Sequence, residues 1–243
     1  MKNDVEELKI KFNKIKNMDW IESKRNGSTG IGYTFEYLIG KNEDQKQIPD
    51  YKSIEIKTKH KYSKGYITLF NLNPDGNFNA ESFVNKYGYK DKDIKKNVFR
   101  GSLNFITSDF MGINYKFQLS IDNSKERLII NIRDKYNKLI NNEIYWSFEK
   151  IQEALNKKLK FLAIVKADRK YINKIEYFKY EKINFFKLKD FKDFIKAIEL
   201  GYIRVTIKIG VFKSGKRYGQ IHNHGIGFDI NEKDILHIYN RLY

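Results

Sequence analysis

One short stretch of the chain holds residue types that can do chemistry: Pro49-Asp50 and, after four intervening residues, Glu55-Ile56-Lys57. Two carboxylates can share a divalent cation, and a lysine beside them can orient or deprotonate an attacking water. That set suits metal-dependent phosphodiester hydrolysis. Ser53, Glu55, Lys57 and Lys59 alternate with Ile54, Ile56 and Thr58, so the spacing predicts a strand. Glu55 and Lys57 are then expected side by side on a solvent face, with Ile54 and Ile56 inward. Asp50 precedes the strand, where the chain can bring its carboxylate back towards Glu55. Pro49 has no N–H for a ladder and fits a strand start. Tyr66 to Phe70, across the Ser63-Lys64-Gly65 turn, is expected to pair with this strand as a hairpin and brace it. Read alone, the pattern is equally an exposed Glu–Lys pair, which contributes little stability.

The surrounding elements must position these residues. Apolar residues at 5, 8, 12 and 15 have helical spacing. Asn26 to Gly32 is glycine-rich, and a helix is expected from about Thr34 to Ile39, ending at Gly40. Residues 75–114 read as loops with short elements, and 115–121 with 127–133 as a hairpin. Ser147 is an expected N-cap for a helix burying Phe148, Ile151, Leu155 and Leu159. A buried strand follows at 161–165. Asp190 caps a helix that Gly201 stops, Ile203 to Ile209 alternates as a strand, and a last helix is expected from Glu232 to Tyr239. The pattern is mixed α/β (α+β) with no repeat and no linker.

Gly30-Ile31-Gly32 lacks the Gly-Lys-Ser/Thr ending of a nucleotide phosphate loop, so a tight turn into a helix is the better reading. Lys24 and Arg25 beside it could touch a DNA phosphate near the helix N-terminus. Glu36, within Phe35-Glu36-Tyr37-Leu38-Ile39, is either an exposed helix residue or a third carboxylate near a metal.

Near the C-terminus, Arg204, Thr206 and Lys208 share one strand face, and Lys213, Lys216 and Arg217 follow in a turn. His222-Asn223-His224 then places two imidazoles two residues apart, facing one way on an extended segment. Two histidines without cysteine make a poor zinc set. A strand–turn–strand carrying His, Asn and Lys suits base-edge contacts in a DNA groove; a structural role for the histidines is the competing reading.

The 47 Lys and Arg outnumber the 30 Asp and Glu, a formal charge of +17 that suits a polyanion such as nucleic acid. The absence of cysteine excludes disulfides, thiolate nucleophiles and Cys-type zinc sites. No stretch has the length of a membrane span or the apolar core of a signal peptide, so a cytoplasmic protein with no membrane partner is expected.

The run from Gly30 to Gly40, Pro49-Asp50, Ile54 to Thr58 and Thr68-Leu69-Phe70 resembles the MutH-like branch of PD-(D/E)XK nucleases, nearest the MvaI/BcnI group of type II restriction endonucleases. The resemblance continues through Tyr145 to Phe148, Lys157 to Lys160, Ile209-Gly210, Ser214 to Lys216 and His222 to Gly225. It implies a restriction-endonuclease-like core with a recognition lobe facing it across a DNA cleft. We expect a single domain of 243 residues, with residues 1–110 mainly catalytic and 111–243 mainly recognition. It implies that Asp50 and Glu55 bind Mg2+ (Mn2+ substituting), that Lys57 orients the nucleophilic water and that Glu36 supports the site. No ATP is implied. The partner is double-stranded DNA, cut by a monomer, with a companion methyltransferase that need not be bound. Such enzymes read short pseudo-palindromes. Where this chain has Lys208, Asn223 and Asp229, the family pattern has Arg, an acidic residue and Arg; Asp229 thus falls in the DNA-facing region, and the target sequence stays open. Two alternatives stand beside this reading: a MutH-like repair nickase and a non-catalytic basic nucleic-acid-binding protein.

Overall fold

A computed structural model describes residues 2–41, 48–76, 78–111 and 114–242. Helix α1 (Lys2–Lys16) leads to strand β1 (Ile21–Glu22), helix α2 (Gly30–Leu38) and strand β2 (Ile54–His60). Strand β3 (Tyr66–Asn71) and helix α3 (Ala80–Tyr87) precede β4 (Tyr89–Lys90), β5 (Asn97–Leu103) and β6 (Asp109–Met111). A meander of β7 (Tyr115–Asp122), β8 (Arg127–Arg133) and β9 (Leu139–Ser147) runs into helix α4 (Phe148–Lys158). The long hairpin β10 (Phe161–Ile172) and β11 (Ile175–Leu188) is followed by helix α5 (Phe191–Glu199), β12 (Ile203–Val211) and β13 (Ile221–Asn231). A 3-10 helix (Glu232–His237) and β14 (Tyr239–Arg241) complete a mixed α+β chain.

The chain forms two compact units: Met1–Gly65, Leu155–Asp190 and Ile238–Tyr243 make the first, Tyr66–Ala154 and Phe191–His237 the second. This division does not follow the expected line at residue 110. Residues 66–110 belong to the second unit and 155–190 to the first, because strands distant in sequence complete the two five-stranded sheets.

In the first unit the sheet runs β1-β11-β10-β2, with β14 also on β11. Strand β2 lies parallel to β10, from Ile54 beside Phe161 to His60 beside Ala167. The predicted 3.6-residue stripe of α1 is the core stripe: Val5, Leu8, Phe12 and Ile15 are buried with Phe35, Ile54, Ile56 and Tyr180. Truncating one of these to Ala costs about 2–5 kcal/mol in typical cores.

In the second unit one sheet runs β3-β13-β12-β5-β4 and another β6-β7-β8-β9. Aromatic rings fill it. Phe70 stacks on Phe228 at 4.7 Å between centroids, and Trp146 meets Phe228 edge-on at 5.6 Å. The buried Trp146 indole donates to the Leu72 carbonyl at 3.0 Å, which satisfies its polar atom.

Two expectations are corrected. The segment after the Ser63–Gly65 turn does not pair with β2; β3 pairs antiparallel with β13 in the second unit, and β10 braces β2 instead. The C-terminal segment is a 3-10 helix ending at His237, with Tyr239 already in strand β14.

Candidate active site

A reversal in front of β2 sets the site. The Tyr51 N–H donates to the Ile54 carbonyl at 2.9 Å and the Ile54 N–H to the Tyr51 carbonyl at 2.8 Å. Lys52 takes a left-handed φ of 51° to close this tight bridge. The chain thereby folds Asp50 back over the strand, where its Oδ2 accepts from the Ile56 N–H at 2.9 Å. Lys41 donates to the other oxygen, Oδ1, and its Nζ lies 3.9 Å from Glu36 Oε2.

Glu55 is only 1% exposed, so the expected solvent face of β2 is corrected: this side of the strand is covered. Its Oε1 accepts from Lys57 Nζ at 2.7 Å and pairs with Lys158 Nζ, at the end of α4, at 3.2 Å. Its Oε2 is buried without a hydrogen-bond partner among the described residues. Asp50, Glu55, Lys57, Glu36, Lys158 and Arg25 line a single cleft of about 410 Å³.

Electrostatics separate the three acids. Burial pushes the Glu55 carboxyl up, and Asp50 nearby adds to this against the pull of Lys57 and Lys158. Burial also raises Glu36, again with Asp50 contributing. Asp50 is pushed up by burial too, but the Lys41 hydrogen bond, the Ile56 N–H and the charges of Lys41 and Lys57 outweigh it and hold the group below its ordinary value.

Helix α2 delivers Glu36. The glycines belong to its first turn rather than to a loop before it. A Cβ on Gly30 would sit 2.4 Å from the Arg25 carbonyl oxygen and 2.8 Å from Ser23 Oγ, so only glycine permits this close approach. The Lys24 N–H donates to Thr34 Oγ1 at 2.9 Å, and the Arg25 guanidinium lies 3.8 Å over the Tyr33 ring.

The donor set fits a hard divalent cation. Three carboxylates line one cleft, and one buried oxygen, Glu55 Oε2, has no partner to displace among the described residues. Among the described residues no three His, Cys, Asp or Glu side chains cluster tightly enough to hold an ion together. Asp50, Glu55 and Glu36 are the carboxylates of this cleft that could contribute to holding an ion.

The MvaI/BcnI restriction endonuclease family model matches residues 9–239. The chain belongs to that family. A solved structure of the restriction endonuclease MvaI–cognate DNA substrate complex is similar to it at TM-score 0.91 and 35% identity, over 100% of this chain and 98% of that one. MvaI in the absence of DNA is similar at TM-score 0.62 and 34% identity, over the same shares. Comparison with curated proteins found no match. As a member of the MvaI/BcnI family the chain is a type II site-specific deoxyribonuclease, an enzyme class that depends on a divalent metal ion. No helix among the described residues is long and apolar enough to cross a membrane.

The other residues singled out in the sequence lie in the second unit, apart from Lys24 and Arg25. Arg204, Thr206 and Lys208 share one face of β12. His222 and His224 do come together, with ring centroids 3.7 Å apart. The ladder shifts register between Ile207 and Ile209, and Gly225 at φ 89° takes the bulge. Asn223 Oδ1 accepts from the Gly225 N–H at 2.9 Å and so fixes that turn. One residue is placed otherwise than expected. Asp229 is 3% exposed, and its oxygens accept from Thr68 Oγ1 at 2.7 Å and Thr206 Oγ1 at 2.6 Å; it supports the sheet face rather than presenting to a ligand. Lys213 is engaged by Asp91 and Asp93. Arg217 lies over Phe212 at 4.1 Å, and Lys216 is exposed.

Lys41 and the role of Lys158 escaped the sequence reading. Lys158 lies in the Lys157 to Lys160 run that carries the resemblance, but the signal that places it at the site is the register of the fold. In a parallel pair that sets Phe161 beside Ile54, the residues just before 161 emerge at the same end of the sheet as those just before 54. Lys41, between Gly40 and the turn at Pro49-Asp50, had none.

Proposed function

We propose that this enzyme hydrolyses DNA phosphodiester bonds with Mg2+ held by Asp50 and Glu55, Mn2+ substituting and ATP not required. When bound, the ion neutralises charge building on the phosphate and lowers the pKa of a bound water. Lys57, within hydrogen-bond distance of Glu55, orients the attacking water. The water oxygen bonds to phosphorus as it gives up a proton, and the ester P–O bond breaks with a proton passing to the departing oxygen. Lys158 holds the shared Glu55 oxygen from the other side. Glu36 supports the site through Lys41, which it shares with Asp50. The second unit's basic sheet face reads a short pseudo-palindromic site in double-stranded DNA. The enzyme acts as a monomer, and a companion methyltransferase protects the host's own sites.

One observation carries the reading: Glu55 is buried beside two lysines, in a cleft with Asp50, and still keeps one oxygen unpaired. A structural acid in that position would have both oxygens satisfied. The test is incubation of the purified protein with unmethylated plasmid and Mg2+, without ATP, followed by sequencing of the ends. Discrete fragments sharing an end sequence are expected. No cleavage with either Mg2+ or Mn2+ would sink the proposal. Lys57→Ala should abolish cleavage yet keep sequence-specific binding; loss of binding as well would make Lys57 a structural residue.

A further inference from the structure

The polar face of the β5–β12–β13 sheet carries more cations than it has uses for internally. Ladder register sets Arg100 of β5 directly opposite Lys208 of β12, and Ser102 opposite Thr206. Most neighbours are committed. Ser102 and Thr206 bond each other at 3.0 Å, and Thr206 donates to Asp229. The Arg204 guanidinium is stacked 3.4 Å over the Tyr66 ring and faces Asp229. Lys208 makes one long contact, 3.5 Å to Thr68 Oγ1. Arg100 is exposed and has no carboxylate partner among the described residues.

Arg100, Lys208, His224, Ser102 and Thr206 line a cleft of about 530 Å³. Gly210 keeps it open: a Cβ there would lie 3.3 Å from Arg100 Nη2 and 3.7 Å from His224 Nε2. The same crowd of cations, after burial and His222, keeps the His224 imidazole below its ordinary pKa and so available as a neutral donor or acceptor. A planar fork of donors, unpaired and standing in a cleft beside a compact ammonium and a neutral imidazole, matches one base edge above others. Guanine presents O6 and N7 side by side in the major groove, and a guanidinium meets both at once. Lys208 can reach O6 and N7 only from one rotating nitrogen, whereas the planar fork of its cross-strand partner matches the two acceptors with fixed, separate donors.

We infer that Arg100 is a specificity-determining residue that donates paired hydrogen bonds to O6 and N7 of one guanine in the target, with Lys208 and His224 flanking it. This rests on the proposal that the second unit's sheet face reads DNA.

The test uses the intact enzyme. Sequencing of the wild-type cleavage ends defines the site. Duplexes carrying that site are then made with 7-deazaguanine, which lacks the N7 acceptor, at each guanine in turn. Wild type, Arg100→Ala and Arg100→Lys are compared on this set by kcat/KM, and by binding with Ca2+ in place of the catalytic metal. At one guanine the analogue should weaken the wild-type enzyme by about 10- to 100-fold, Arg100→Ala by less than about 2-fold, and Arg100→Lys by an amount below that of wild type. The variants should keep the wild-type sensitivity at every other guanine. Arg100→Lys retains the charge, so it carries the test should Arg100→Ala fold poorly. Equal weakening on all duplexes with unchanged base preference would make Arg100 a phosphate contact and overturn the inference, as would sensitivity retained at every guanine. A wild-type enzyme that fails to cleave would instead refute the proposed function; the site would then be defined by selecting duplexes bound in Ca2+, and the 7-deazaguanine binding comparison on that site would still decide the role of Arg100.

Discussion

Replacing Asp229 should damage the second unit's fold in a graded way that depends on hydrogen bonding rather than volume. Its carboxylate is buried and accepts from two threonine hydroxyls, at 2.7 Å and 2.6 Å. Hydrogen bonds to a charged group contribute about 1.5–3 kcal/mol each, and a buried hydroxyl left unpaired costs about 1–3 kcal/mol. Thr206 keeps Ser102 as a partner when Asp229 is removed, so Thr68 is left the poorer of the two. Arg204 loses its counter-charge, but its Nε is 3.8 Å away and its side chain 29% exposed, so little is added for that pair. Asp229→Ala is therefore expected to destabilise the protein by about 3–5 kcal/mol. Asp229→Asn keeps one carbonyl acceptor, and its amide can donate to a hydroxyl that rotates to accept; a loss of about 1–2 kcal/mol is expected. Trp146, fully buried and edge-on to Phe228 next to Asp229, is the natural probe. Urea unfolding followed by fluorescence in a Trp20→Phe background confines the signal to the second unit. An Ala loss below about 1 kcal/mol, or an Asn variant as damaged as the Ala variant, would refute the assignment of Asp229 as a buried hydrogen-bond hub.

Further outcomes follow from the same geometry. Lys158→Met should slow cleavage at saturating Mg2+ while leaving the sequence preference of the products unchanged; a shifted preference would place Lys158 in recognition. Glu55 has its pKa raised by burial, so below neutrality the folded state takes up this proton before the unfolded state does. The stability of metal-free wild type relative to Glu55→Gln should rise as pH falls towards the ordinary value of 4.5, and a relative fall on acidification would contradict it. Asp75 has the opposite sign. Burial raises it, but the Ser147 N–H and Lys150 prevail and depress it, so its contribution is present above 3.8 and lost as pH falls through the lower folded value. Urea midpoints of Asp75→Asn and wild type should accordingly converge in acid; a constant gap would show that the ion pair is not the cause.

Period-2 and period-3.6 patterns carried the elements that bury one face. Helix α1, strand β2 and the β7–β8 pair are legible because each alternates apolar with polar residues around a core. Strand β11, the longest at 14 residues, was missed because its inward set includes Glu176 and Tyr180, whose polar ends are satisfied by Tyr171 and by the Ile31 carbonyl. Pairing was less legible than strand existence. Adjacent strands β2 and β3 looked like a hairpin, yet β2 finds its partner more than a hundred residues away in β10. Local sequence has no term for that choice. Asp50, Glu55 and Lys57 could be grouped from spacing alone, since one turn and one strand fix them. Lys158 could not, since only the parallel register brings the end of α4 to the same cleft.

Glu55 in the first unit and Asp229 in the second are the two most deeply buried carboxylates among the described residues, and the difference between the two explains their roles. Asp229 has hydroxyl donors on both oxygens, so nothing at that position calls for a ligand. Glu55 has both of its lysines on one oxygen and nothing on the other. Burial is costly for either group. At Asp229 the cost is offset within the fold, and the result is a rigid support for Arg204, Thr206 and the strand face they share. At Glu55 the fold leaves the cost standing, which the raised carboxyl pKa reflects. A divalent cation bound between Glu55 and Asp50 would offset it. A metal ion held at Glu55, as proposed, would thus relieve an acid that the fold leaves with a raised pKa, the arrangement expected where binding and catalysis depend on the same ion.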